Sequence, residues 1–200
     1  MTTIGFFSSI HQDEMQRQFG WDDGKSVALF DAFRPDVVCG EVRRSDYEGG
    51  ADYQGPGEYR RYIFSYCGER GIPFIPCDFF REEDIELARR PMDVPDEAAK
   101  EFEQIVQDFF AIGAKSAPPF NSAEFNALAE KKQAFQHKYA PEIHEIIWNQ
   151  RNREIVENIK AVVKEYGGKN ILVIFGAEHT YWLIKEFRKL KDVSIRFPLG

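Results

Sequence analysis

The chain has 200 residues, 43% of them hydrophobic and 14% aromatic, enough to bury one core without a structural metal or disulfide. Its 26 Lys and Arg against 33 Asp and Glu leave a net charge of −7, which argues against a nucleic-acid or anionic-membrane surface, since both demand clustered positive charge. The longest purely apolar run, residues 171–175, is far shorter than the roughly 20 residues that span a bilayer, so no membrane segment is expected.

The opening MTTIGFFSSIHQDE has no basic stretch and breaks its apolar run at Ser8, which does not fit a secretory signal; a cytoplasmic location is the expectation. A first strand is read over residues 3–7 and a second over 36–42 (DVVCGEV). The stretch DYEGGADYQGPGEY, residues 46–59, reads as a flexible loop. Tyr59, Tyr62, Ile63, Tyr66, Cys67 and Arg70 then follow helical spacing up to Gly71, and a third strand covers 72–77.

Roughly 90 residues separate the third strand from the fourth, more than a single crossover needs, so a helical layer or cap is expected at about 80–140. Within it Phe102, Ile105, Val106, Phe109 and Ile112 mark one helix, and SAPPFNSAEF is a Pro-broken loop ending in a candidate N-cap, Ser122. A weaker helix runs on to about His137. Pro141 suits the first turn of a long helix reaching about Tyr166, stopped by Gly167 and Gly168. Strands over 171–175 and 193–197 close the chain. Strands separated by helical crossovers predict an α/β fold: a central, mainly parallel or mixed sheet of about five strands flanked by helices, in a single domain. Cys39, Cys67 and Cys77 are odd in number and lack C-x-x-C spacing, so they are read as reduced, two on strands and one on a helix.

In parallel α/β sheets ligands bind beyond the carboxyl ends of the strands. His11 follows the first strand, Glu41 and Arg43 end the second, Asp78 ends the third, and Glu178 and His179 follow Gly176 after the fourth. The small residues Gly176 and Ala177 let backbone approach a bound group, and a histidine at the following helix start feels the positive dipole end, which favours its neutral form. Glu41 at the end of a buried strand needs a partner. Ile143, Ile147, Arg151, Ile155 and Ile159 recur every four residues, which turns Arg151 inward and predicts a buried Glu41–Arg151 pair, with Arg153 pointing to solvent. Asp78 with Arg81 reads as a helix-start cap, and His137 and His144 as ordinary surface or packing histidines.

The order Ser-Ser-Ile-His11, PDVVCGEVR with Glu41, QRNREIVENI with Arg151, and VIFGAEH with His179 resembles the TraB/PrgY/GumN and Tiki superfamily, which also takes in erythromycin-esterase-like and ChaN-like proteins. Those proteins carry two Gly-x-x-His motifs, a Glu ending the second strand, and an Arg opening the helix before the last motif. Gly176 to His179 fits the second motif fully; Ser8 stands where the first has glycine, and Gln150 where a Glu usually precedes the Arg. The resemblance spans residues 3 to about 187 and implies a metal-dependent or histidine-based hydrolase domain acting as peptidase or esterase.

The function expected from these residues is therefore hydrolysis of a small-molecule or peptide substrate. His11 and His179 bind a divalent ion or activate water, with Glu41 as base or ligand and Arg151 orienting Glu41 or stabilising an oxyanion. Zinc, manganese or cobalt suit a mixed His/carboxylate site. Arg43, Tyr53 and Glu178 are the candidate substrate contacts. The Gly-rich loop over residues 46–59, with Tyr47, Tyr53 and Tyr59, is expected to act as a mobile lid. The alternative is a non-catalytic module that holds a small ligand or a haem-like group in the same crevice.

Overall fold

The computed structural model describes residues 1–50, 53–90, 92 and 94–199. Strand β1 (Thr2–Ser9) leads through the helices α1 (Asp13–Gln18) and α2 (Asp23–Phe33) to β2 (Val37–Arg43). After α3 (Arg44–Glu48), a π-helical turn (Tyr59–Ile63) runs directly into α4 (Phe64–Arg70) and then β3 (Phe74–Asp78). The long connection that follows contains α5 (Glu82–Ala88), α6 (Asp96–Gly113), α7 (Ala123–Tyr139), α8 (Pro141–His144), a second π-helical turn (Glu145–Gln150) and α9 (Arg151–Glu165). Strand β4 (Asn170–Gly176), α10 (Ala177–Phe187) and β5 (Val193–Arg196) complete the chain.

All five strands are parallel, in the order β3-β2-β4-β1-β5. The continuous apolar runs follow from this arrangement, because central parallel strands are covered on both faces. On one face Phe30, Phe33, Tyr62, Ile63 and Tyr66 pack against Phe7, Val38, Leu172 and Ile174. On the other, Ile155, Ile159, Val162, Leu183 and Phe187 pack against Ile4, Phe6, Cys39, Val173 and Phe175. The crossovers β1 to β2 and β2 to β3 thus lie on one face and the last two on the other, with β4 inserted between β2 and β1. The crevice of such a sheet opens at the carboxyl ends of those three strands.

The helices expected from spacing are present. Ser122 caps α7, its hydroxyl accepting from the Phe125 amide at 3.1 Å, and Pro141 occupies the first turn of α8. Gly71 ends α4 with φ +63°, a conformation that favours glycine. Cys39 and Cys77 lie on strands and Cys67 on a helix, and all three are free and buried. Among the described residues no helix is long and apolar enough to cross a membrane.

Two expectations change. The stretch 46–59 is not one loop: its start belongs to α3, and Tyr59 opens the π-helical turn; residues 51 and 52 lie outside the described residues. The helix after Gly176 begins at Ala177, so His179 sits inside its first turn.

Candidate active site

The site is built on a split in the sheet. The ladder between β2 and β4 ends at the pair Gly40 and Ile174, and β2 shifts register against β3 between Gly40 and Arg43. An irregularity of this kind re-aims a strand-end side chain. The Tyr59 hydroxyl fills the split, accepting from the Glu41 amide and donating to the Ile174 carbonyl, both at 2.7 Å. Gly40 makes room for it, since a Cβ there would lie 2.6 Å from the Tyr59 ring.

Freed from the ladder, Glu41 extends its carboxylate into the gap, where it stays buried. Its Oε1 accepts from Arg151 Nη2 at 2.7 Å, and its Oε2 accepts from the Gly176 amide at 2.5 Å. His11 Nε2 stands 3.3 Å from Oε2, and His179 Nε2 stands 3.6 Å from Oε1. Burial alone would raise the Glu41 pKa, but His11, His179 and Arg151 together hold it well below the usual carboxylate range. The four residues singled out from sequence therefore converge on one carboxylate.

The two histidines differ in their environment. His179 is buried against Trp148, whose ring stacks on it with centroids 4.6 Å apart. Its Nδ1 lies 2.8 Å from Asn152 Oδ1. The Asn152 amide nitrogen donates to the Trp148 carbonyl at 2.8 Å, so the oxygen is the atom left facing the ring. His179 therefore donates from Nδ1 and keeps its lone pair on Nε2. Burial pushes its pKa down to about 4, with Arg151 working in the same direction against the pull of Glu41, so it is neutral near pH 7. His11 sits at the mouth with its side chain 37% exposed, and both its nitrogens face carboxylates: Nε2 faces Glu41, and Nδ1 donates to Glu58 Oε1 at 2.8 Å. Burial works to lower its pKa, but Glu41 and Glu58 outweigh this and raise it to about 10, so His11 is a cation.

Arg151 has a second anchor that the sequence reading assigned to another role. Asp78 accepts from Arg151 Nε at 2.8 Å and from Nη2 at 3.0 Å. It is therefore not paired with Arg81, which instead holds Asp84 through two bonds of 2.8 and 3.0 Å. Arg153 faces solvent, as its spacing predicts, and there pairs with Glu145.

The cluster lines a cavity of about 750 Å³ together with the apolar side chains of Phe80, Met92, Val106, Phe109, Phe110 and Ile147. The expected helical layer thus supplies most of the apolar lining. Glu178 reaches the cavity but is held by Lys132 Nζ at 2.6 Å and Gln133 Nε2 at 2.7 Å. His144 also lines it and is buried rather than on the surface, its Nε2 3.1 Å from Gln133 Oε1.

The other two expected substrate contacts do not reach this cavity. Arg43 turns back to Asp46, with bonds of 2.7 and 2.9 Å. The Tyr53 hydroxyl donates to the Pro56 carbonyl at 2.9 Å while its ring packs on Phe64. Tyr59 is fully buried and Tyr47 packs on Phe64 and Phe74, so neither is an aromatic tip over the crevice. Residues missed from sequence are Asp78 as the Arg151 anchor, Glu58, Tyr59, Asn152 and Trp148. Asn152 had a signal, lying beside Arg151; Glu58 sits in a Gly-rich stretch with none.

Among the described residues, no group of three or more His, Cys, Asp or Glu side chains is arranged to hold a metal ion. Each Glu41 oxygen already accepts a hydrogen bond, from Arg151 or from the Gly176 amide, and the oxygen that faces His179 Nε2 is the one that carries the Arg151 guanidinium, a fixed positive charge that the zinc, manganese or cobalt expected from sequence would have to meet. Ser8, at the glycine position of the first motif, bonds through its hydroxyl to Thr180 Oγ1 at 2.8 Å and leaves His11 in place. No family model, curated protein or solved structure compared with this chain matches it.

Proposed function

We propose that this protein is a hydrolase of small-molecule or peptide esters or amides, using water activated by histidine. The observation that carries this reading is one buried carboxylate placed between two histidines of opposite proton affinity, His11 and His179, on the wall of an apolar cavity. Paired titratable groups whose environments drive their pKa values apart divide naturally into acid and base.

In this reading, His179 Nε2 takes a proton from a water molecule as its oxygen attacks the substrate carbonyl carbon. Asn152 holds the tautomer that leaves this nitrogen bare. The positive charges of His11 and Arg151 stabilise the developing oxyanion. As the tetrahedral intermediate collapses and the bond to the leaving group breaks, His11 gives its Nε2 proton to the departing alkoxide or amine. One proton is taken and one given, so the positive charge moves from His11 to His179. Glu41 faces one histidine with each oxygen and serves as counter-ion throughout. Exposed His11 then regains a proton through solvent and His179 releases its own.

The sequence resemblance to a superfamily of metal-dependent or histidine-based hydrolases supports a hydrolytic reading. A second reading, a non-catalytic module for a small ligand or haem-like group, is favoured by the apolar side chains that line the cavity. A screen of chromogenic esters and peptides tests both. Hydrolysis that falls by about 100-fold or more in His179→Gln and in His11→Gln is the expected result. Saturable binding without turnover favours the second reading, and turnover unchanged in both variants overturns the first.

A further inference from the structure

Glu58 and Tyr59 are consecutive residues bonded to opposite sides of the site. Glu58 is 1% exposed and accepts from His11 Nδ1 at 2.8 Å, while its other oxygen is buried without a partner among the described residues. Tyr59 is fully buried and bridges the Glu41 amide and the Ile174 carbonyl. A buried carboxylate with a single partner is unfavourable unless that partner is charged. Among the described residues, the group bonded to Glu58 that can supply the charge is the His11 ring.

From this geometry we infer that Glu58 and Tyr59 form a two-residue clamp, in which Glu58 is a positioning residue that holds His11 protonated and fixed in rotation, while Tyr59 holds Glu41 at the split in the sheet. Neither touches the reacting atoms in the reading above. The clamp explains why a histidine at the exposed mouth of a cavity does not turn freely: the ring is tied at Nδ1, and only Nε2 faces Glu41 and the substrate space. It also explains the π-helical turn that begins at Tyr59, since the extra residue in such a turn shifts the side-chain phase, as is common at functional sites. As an acid in hydrolysis, this role of His11 rests on the proposed function; as a clamp it does not.

The groups around His11 are Glu41 from β2, Glu58 from the segment before the π-helical turn, and Arg151 and His179 across Glu41. Glu58 in turn lies near Asp23, Tyr53 and Tyr62. Nitrogen NMR of the His11 ring is the direct test and needs no substrate. In the wild type both ring nitrogens are expected to be protonated at pH 8, and in Glu58→Gln, where Glu41 still faces Nε2, the ring should lose its proton at a lower pH than in the wild type and its Nδ1 signal should move. Identical His11 spectra in the two proteins overturn the clamp, as does a neutral wild-type ring, which settles the matter even where the variant does not fold. On a hydrolysed substrate, Glu58→Gln should lower kcat by about 100-fold with KM within about two-fold, and the alkaline limb of the kcat profile should move to lower pH. Glu58→Asp should restore part of the rate, and Tyr59→Phe should lower kcat without moving the limb. A protein that shows the NMR result but hydrolyses nothing keeps the clamp and removes the hydrolase reading.

Discussion

Arg151 grips Asp78 with two nitrogens, Nε at 2.8 Å and Nη2 at 3.0 Å, and Glu41 with one, so the start of α9 is tied to the ends of two adjacent strands at once. Removing the guanidinium leaves Asp78 without its cation and the buried Glu41 with only His11 to balance it. Arg151→Ala should therefore destabilise the fold by about 3 to 5 kcal/mol in chemical denaturation. Arg153 is on the same helix, but its pair with Glu145 is about half exposed. Arg153→Ala should cost under about 1 kcal/mol. Equal losses in the two variants would show that the Asp78 and Glu41 bonds do not carry the helix.

Stability should peak near pH 6.5 and fall on both sides, because the histidines are shifted in opposite directions. His179 and His144 are held down to about 4, so between pH 6.5 and 4 the unfolded chain binds protons that the folded chain does not, and stability falls with acid. His11 is raised to about 10, so the folded chain keeps a proton that the unfolded one loses between pH 6.5 and 10, and stability falls with base. Melting temperature followed from pH 4 to 10 checks this. His179→Gln should flatten the acid slope and leave the alkaline slope in place; an unchanged acid slope would mean that His179 is not buried neutral.

Gly176 stands where the amide that bonds Glu41 must pass beneath His11. A Cβ added there would lie 2.6 Å from His11 Nε2 and 3.0 Å from Glu41 Oε2. Since His11 is partly exposed, its ring can be pushed aside at the cost of its bond to Glu58, and Gly176→Ala should abolish turnover while lowering stability by only about 1 to 2 kcal/mol. The two are separated by measuring kcat and denaturant midpoint on the same protein. A variant with wild-type kcat would show that the His11 position seen here is not needed for the reaction.

The fold and the central pair were legible because each rests on a local signal. Continuous apolar strands separated by helical patterns require a parallel sheet, and an Arg on an inward four-residue stripe requires a carboxylate opposite. The same stripe also shows where sequence reasoning stops. Ile155 and Ile159 are fully buried against the sheet, but Ile143 lies before the π-helical turn and Ile147 within it, and both line the cavity. No spacing rule marks that change of phase. Asp78 was read as a cap because Arg81 is near it in sequence, whereas the nearer cation in space is Arg151, 73 positions away. Glu58 and Tyr59 were hidden for the same reason: their partners His11, Glu41 and Ile174 come from three other strand ends.

The cavity, rather than the stretch over residues 46–59, should decide what is bound. Tyr53 spends its hydroxyl on Pro56 and its ring on Phe64, and Arg43 spends its guanidinium on Asp46, so neither side chain faces the space beside Glu41. Tyr53→Phe and Arg43→Ala should leave kcat/KM, or ligand affinity where the protein only binds, within about two-fold of wild type. Ile147 is half-buried on the cavity wall, and a larger side chain there takes up volume that a bound molecule needs. Ile147→Trp should lower kcat/KM by about 10- to 100-fold for the bulkiest substrates and by less for the smallest, because a pocket discriminates by the volume it leaves. Its melting temperature should change little, since the added ring enters open space rather than packed core. Comparing a short and a long acyl ester on all three variants makes the contrast in one experiment. Loss of activity in Tyr53→Phe with none in Ile147→Trp would move the binding surface from the helical layer back to the segment that contains Tyr53.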